Sequence, residues 1–153
     1  MESITIKPIS KNNIANLADM LNYDDKLIAS LGSRKSHIVT PAELFTDLEK
    51  WQIENNADSY VIVFNKNVIG LISLSHQNDR QARVGYWIAS SEWGKGYTSK
   101  AFKQIVTIAK NQGFIKLSAS IDPFNIASKR IWEKSGAIFT KKDGKIIATL
   151  DII

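Results

Sequence analysis

The segment RVGYWIASSEWGKGYTSKAF, Arg83 to Phe102, decides how this chain folds. An apolar strand, Arg83 to Ala89, runs into the turn Trp93-Gly94-Lys95-Gly96-Tyr97-Thr98-Ser99. A helix follows from Ser99 to Gln112, with Ala101, Phe102, Ile105, Ile108 and Ala109 at helical spacing and Gly113 as its left-handed stop. Two glycines between a strand and a helix leave several backbone N–H groups unpaired at the positive end of the helix dipole, and such a turn cradles phosphate. Downstream, Leu117 to Ile121 reads as a buried strand, and a second basic helix, Asn125 to Lys134, stops at Gly136. Because Leu117 to Ile121 follows a crossover helix, it should lie parallel to Arg83 to Ala89. Two parallel neighbours in an otherwise antiparallel sheet splay at one end, which opens a cleft.

Upstream of this segment, Ile4 to Ile9 alternates as a strand, and Ser10 to Leu21 reads as a capped helix with Ile14, Leu17, Ala18 and Leu21 on one face. Thr40, Pro41 and Glu43 spell an N-cap, a first-turn proline and a capping box, followed by Leu44, Leu48 and Trp51 on a helix face that should be core. Asn22 to Thr40 has the weakest pattern, that of a loop or a short helix. Tyr60 to Phe64 and Val68 to Ser75 are apolar strands around the hairpin signal Asn65-Lys66-Asn67, and with Arg83 to Ala89 they form an antiparallel meander. Asp143 and Gly144 mark a last hairpin, with Lys145 to Ile152 as its second strand. The expected architecture is α/β (α+β): a mixed, mostly antiparallel central sheet, splayed between two parallel strands and flanked by helices.

With 153 residues, 44% hydrophobic, the chain is large enough for one well-buried core and short for two, so residues 1–153 are expected to form a single domain. No apolar stretch approaches 18 residues and no basic, apolar leader opens the chain, so the expectation is a cytoplasmic protein without a membrane partner. Zero cysteines exclude disulfides, thiolate metal sites and a cysteine nucleophile, and His37 and His76 alone do not make a usual zinc site. The net charge of +5 is concentrated: Gly94 to Lys134 carries eight Lys and Arg against Asp122 and Glu133. A basic segment around a phosphate-cradling turn points to a small polyanion. The aromatics fall at strand and helix core positions, which speaks against a nucleic-acid platform.

Three fragments resemble the GNAT superfamily of acetyl-CoA-dependent N-acetyltransferases, and most closely its ribosomal-protein N-terminal acetyltransferase branch. Gly85-Tyr86-Trp87-Ile88 ends the central strand. Trp93 to Thr98 sits where the superfamily has arginine or glutamine, two free positions, glycine, one free position, then glycine or alanine. Asn125, Ser128, Ile131, Glu133, Lys134 and Gly136 follow the branch's asparagine and serine helix pattern. The resemblance implies that Gly94, Lys95, Gly96, Tyr97, Thr98 and Ser99 bind the pyrophosphate of coenzyme A through backbone N–H groups, with Trp93 opening the turn. Lys95 and Lys129 would add charge. It further implies that the edge of Trp87, Ile88 and Ala89 pairs with the pantetheine amides like an added strand, and that Asn125 holds the arm from the opposite wall. A backbone N–H near Ile88 or Ala89 would stabilise the oxyanion formed when an amine attacks the acetyl carbonyl.

Two departures bear on mechanism. Trp93 and Thr98 replace the usual residues of the turn, but the turn works through backbone atoms. Trp132 stands where many members carry a tyrosine that protonates the departing thiolate, and an indole N–H does not release a proton at physiological pH. Ser128, one turn earlier, becomes the candidate donor to a thiolate that already leaves readily, with a thiol pKa of about 8.5. No carboxylate occupies the strand position where other members often place a glutamate base. A peptide α-amine, with pKa near 7.8, is roughly 10 to 15% neutral at pH 7, whereas a lysine-like amine near 10.4 is only about 0.04% neutral. The expected acceptor is therefore a peptide or protein N-terminus or a small low-pKa amine, with Asp24, Asp25, Glu92 or His76 as groups able to reach it. Transfer would be direct, without a covalent enzyme intermediate. A small-molecule acetyltransferase and a catalytically silent acyl-CoA-binding module remain as alternatives, and the chain is expected to act as a monomer or homodimer.

Overall fold

The computed structural model describes residues 3–32 and 37–153. In chain order the elements are β1 (Ile4–Pro8), α1 (Ala15–Tyr23), α2 (Asp25–Ser30), α3 (Pro41–Glu54), β2 (Ala57–Phe64), β3 (Asn67–Asn78), β4 (Gln81–Ile88), a 3₁₀ turn (Ser90–Glu92), α4 (Tyr97–Asn111), β5 (Lys116–Ile121), α5 (Ile126–Lys134), β6 (Ile138–Lys142) and β7 (Lys145–Asp151). They form one seven-stranded sheet in the order β1-β2-β3-β4-β5-β7-β6. Every pairing is antiparallel except β4 with β5. The mixed, helix-flanked sheet expected from the sequence is the sheet observed.

The parallel pair is short. Only Gln81, Ala82 and Arg83 pair with Lys116, Leu117 and Ser118, while β4 continues to Ile88 against β3 and β5 continues to Ile121 against β7. The sheet is thus two arms joined at one end, and the gap between them opens from Val84 onward.

Alternation along the strands distributes the core over the two faces. Val61, Val63, Leu71 and Trp87 turn to α1 and α3, where Ile14, Leu17, Ala18 and Leu44 complete one cluster. Ile62, Ile72, Val84 and Ile88 turn to α4 and α5, where Phe102 meets Trp132 edge-on with ring centroids 4.8 Å apart. The apolar stripe of α4 is as the spacing predicts, with Ala101, Phe102, Ile105 and Ala109 buried.

Local departures from the sequence reading have local causes. The first helix begins at Ala15 and not at Ser10, because Asn13 turns back on the chain: its Oδ1 accepts from the Ser10 N–H at 2.8 Å and its Nδ2 donates to the Pro8 carbonyl. The Thr40–Glu43 capping box on α3 is present in both directions, but Trp51 is 37% exposed and lies at the rim, not in the core. The weakly patterned stretch contains a real helix, α2, capped by Asp24, whose Oδ1 accepts from the Leu27 N–H at 3.2 Å. Residues 33–36 of that stretch lie outside the described residues.

Candidate active site

The turn into α4 has the backbone that its glycines suggest. Gly94 and Gly96 have φ of +77° and +80°, the left-handed region that costs L side chains dearly, and a Cβ added at either would enter open space. Gly96 is the N-cap of α4, so the helix begins at Tyr97, two residues before the predicted start. No side chain caps it and no acidic residue sits in its first turn. The N–H groups of Tyr97, Thr98 and Ser99 therefore face outward without a carboxylate or hydroxyl in front of them, at the positive end of a 15-residue helix. This cradle fits a phosphate group. Tyr97 is fastened beneath it by stacking on Phe64, with ring centroids 4.5 Å apart.

Trp93, at the head of the turn, is used as an anchor. Its indole Nε1–H donates to the Ile88 carbonyl at 3.0 Å, tying the turn to the last residue of β4. This bond revises the expectation for the strand edge. The Ala89 N–H donates to the Ile69 carbonyl on β3 at 2.8 Å, so it faces away from the gap and does not serve an oxyanion. Trp87, two residues earlier, has its main-chain groups on the same β3 side, and its side chain packs with the α1 and α3 cluster. Alternation turns the main chain of Ile88 the other way, into the gap. Since the Ile88 carbonyl already accepts from Trp93, its N–H is what that end of the edge offers.

Gly70 on β3, which sequence reading passed over, makes this arrangement possible. Ile69 is an extra residue in the β2–β3 register, and opposite Ile88 a Cβ on Gly70 would lie 2.4 Å from the Trp87 carbonyl oxygen and 2.9 Å from the Ile88 Cα. A bulge followed by a residue without a side chain lets the end of β4 sit where it does.

The opposite wall is the start of α5. Asn125 caps this helix, its Oδ1 accepting from the Ser128 N–H at 3.1 Å, which leaves its amide Nδ2 turned outward. Ser128 is buried, and its Oγ lies 2.5 Å from the Tyr86 Oη on β4, a side-chain bond thrown across the gap. Burial pushes the Tyr86 phenol above its usual 10.0, against the lowering effect of its hydrogen bonds, so it remains neutral in the physiological range. Alternation could have found Tyr86, because it shares a sheet face with Val84 and Ile88. Its pairing with a residue 42 positions away has no sequence signal.

Two of the predicted cations are directed elsewhere. Lys95 pairs with Glu92 at 3.3 Å beside the turn, and Lys129 lies over the Phe139 ring on the outer strand β6, 5.6 Å from its centroid. The proposed acceptor groups also separate. Asp24 reaches the mouth of the gap, where its Oδ2 accepts from the Ser90 N–H at 2.8 Å and its Oδ1 from the Ser90 hydroxyl at 2.6 Å. Burial raises its carboxyl, but the bonds from Ser90 and Leu27 outweigh that and hold it below the ordinary 3.8, which makes it a fastening and a poor base. Asp25 stands exposed in the first turn of α2. His76 is not beside the cleft: it pairs with Ala82 at the joined end of the sheet, six residues and about 20 Å along β3 from Gly70. There it lines a polar groove of about 600 Å³ with Glu54, Asp79, Arg80 and Gln112.

Comparison with known proteins agrees with this fold. YdaF of Bacillus subtilis, a candidate ribosomal N-acetyltransferase, is 25% identical over 114 residues, 71% of this chain and 62% of that protein. The chain spans 42 to 62% of the length of the curated relatives it matches. Among solved structures, an N-acetyltransferase from Staphylococcus aureus Mu50 superposes with a TM-score of 0.73 at 20% identity, covering 99% of both chains. The ribosomal L7/L12 alpha-N-protein acetyltransferase RimL, solved with coenzyme A, gives 0.79 at 14% identity over 97% of this chain and 94% of its own. The family profile described as the acetyltransferase (GNAT) domain matches residues 4–138, and the chain belongs to that family.

Proposed function

We propose that this chain transfers an acetyl group from acetyl-CoA directly to a primary amine, and that the acceptor is a peptide or protein N-terminal α-amine or a small amine of low pKa. The observation that carries this reading is the uncapped, acid-free N-terminus of α4, opened by two left-handed glycines and set beside the free edge at the end of β4. Acetyl-CoA held there supplies an activated acyl carbon and a thiol leaving group.

The N–H groups from Gly94 to Ser99 bind the pyrophosphate, helped by the positive end of the helix. The free edge at Ile88 takes the pantetheine amides as an added strand, and the outward Nδ2 of Asn125 holds them from the α5 side. The Ile88 N–H faces the gap and is the main-chain donor placed to stabilise negative charge on the acyl oxygen. Ser128 provides the hydroxyl on the opposite wall for the departing sulfur. The relative YdaF, a candidate ribosomal N-acetyltransferase, favours a protein N-terminus. The poor basicity of Asp24 does too, since an α-amine reacts without a strong base.

The test is release of coenzyme A thiol from acetyl-CoA across a panel of N-terminal peptides, amino acids, polyamines and aminoglycosides. The fastest turnover is expected with α-amines. A Gly96→Val chain, with a branched side chain in the cradle, should lose about 100-fold or more in coenzyme A affinity. Binding of acetyl-CoA with no thiol released by any acceptor would sink the enzyme reading in favour of an acyl-CoA-binding module.

A further inference from the structure

The bond between Tyr86 and Ser128 joins a phenol to an alkyl hydroxyl. Trp132, fully buried one turn beyond Ser128, has no hydrogen-bond partner for its Nε1–H among the described residues, so it does not set the direction of that bond. A phenol is the stronger donor of the two and an alkyl hydroxyl the better acceptor. The stable arrangement is therefore for the Tyr86 proton to point at Ser128. Ser128 Oγ then accepts from Tyr86, and the serine proton is the one left to turn into the gap. Without the tyrosine, the hydroxyl would have to choose among several rotamers and spend much of its time with its lone pairs toward the gap, which would repel a developing thiolate.

We infer that Tyr86 is a positioning residue that orients the Ser128 hydroxyl as a hydrogen-bond donor toward the thiol of coenzyme A. In this way a strand tyrosine and a helix serine together replace the helix tyrosine whose place Trp132 holds. This rests on the acetyltransferase reading above. When the amine nitrogen bonds to the acyl carbon, the carbon–sulfur bond breaks and its electron pair stays on sulfur. The Ser128 O–H donates to that thiolate, Tyr86 keeps its own proton, and the proton lost by the amine goes to solvent. Because burial keeps Tyr86 neutral well past neutrality, the orientation persists across the working pH range.

The experiment compares the unaltered chain with Tyr86→Phe, Ser128→Ala and the double variant, with two readouts. The first is the pKa of the thiol of bound coenzyme A, followed by thiolate ultraviolet absorbance. It should be about one unit lower in the unaltered chain than in either variant, the tenfold effect expected of a charge-assisted hydrogen bond. The second is steady-state kinetics, in which Tyr86→Phe should lower kcat about tenfold with the KM for acetyl-CoA within about twofold, and the double variant should match Ser128→Ala. The inference is overturned by an unchanged thiol pKa in either variant, by losses that multiply in the double variant, or by a Tyr86→Phe defect confined to coenzyme A affinity, which would make the tyrosine a packing residue. If Tyr86→Phe does not fold, Tyr86→Met takes its place, and an unchanged thiol pKa in that variant overturns the inference. Failure of the unaltered chain to transfer acetyl groups overturns the enzyme reading instead, and the thiol comparison still stands as a separate result.

Discussion

The glycine turn that leads into α4 and the Asp24 corner between α1 and α2 both close on the end of β4, but different bonds hold them there. The turn is held by main-chain geometry and one indole bond over five residues, Trp93 to the Ile88 carbonyl. The corner is held by a single carboxylate that grips Ser90, 66 residues away, through both its N–H and its hydroxyl. One side of the gap therefore tolerates most side-chain changes apart from its glycines, and the other depends on one atom group. A site that must grip the same cofactor in every turnover can be built from backbone. A wall that selects an acceptor is more readily built from side chains, which can be exchanged without disturbing the turn.

The largest effect should come from striking what both sides share. Gly70→Ala places a Cβ 2.4 Å from the Trp87 carbonyl, a main-chain atom that does not rotate away, so the end of β4 must shift. A loss of about 2 kcal/mol in urea-induced unfolding is expected, of the size seen for overpacked cores. Coenzyme A affinity and acceptor KM should both worsen, because the turn and the corner lose their common anchor. If only one of them changes, the two sides do not meet at β4 as described.

A smaller, one-sided effect is expected for Asp24→Ala. Releasing Ser90 loosens the corner while Gly94, Gly96 and Trp93 stay in place, so the acceptor KM should rise about tenfold with coenzyme A affinity unchanged, the size expected when charged hydrogen bonds are lost. The pH dependence follows from the sign of the shift. Asp24 has a lowered folded pKa, so its contribution is complete above the ordinary value of 3.8 and fades only as the pH falls through the lowered one. The ratio between the unaltered chain and Asp24→Ala should therefore stay constant from about pH 6 to 9. A ratio that changes within that range would mean that Asp24 titrates there and acts as a base.

The contrast also explains what could be read from residues alone. A left-handed turn requires glycine, a helix stop requires glycine at Gly113 and Gly136, and a buried strand requires an apolar run, so the crossover, the parallel pair and the left-handed turn into α4 were all legible. The hairpin signal Asn65-Lys66-Asn67 was legible too, although the loop is only Asn65 and Lys66, with φ of +46° and +75°, and Asn67 already pairs with Phe64. Contacts between distant side chains were not. Asp24 with Ser90 and Tyr86 with Ser128 each join positions whose separation no local rule constrains, and Gly70 is explained only by the carbonyl that faces it across the sheet. His76 was misplaced by the opposite error. It ends an apolar run, but β3 continues to Asn78, and the splay begins at the other end of its pairing with β4.

That placement yields the smallest expected effect and a sharp control. His76 leans edge-on against Phe114, with centroids 4.6 Å apart, in the polar groove at the joined end of the sheet. Its N–H to the Asn56 carbonyl is a main-chain bond that a substitution retains. Replacing His76 by Gln keeps a polar side chain of similar reach and removes the imidazole, so kcat and both KM values should stay within about twofold of the unaltered chain and stability should shift by less than about 1 kcal/mol, as for most partly exposed positions. The pH–rate profile should also keep its shape, since a group about 20 Å along the sheet from the Gly70–Ile88 end of β4 cannot accept a proton from an amine bound there. A profile that changes shape in His76→Gln would mean that the acceptor binds at the joined end, and the division of the gap between cofactor turn and acceptor corner would have to be abandoned.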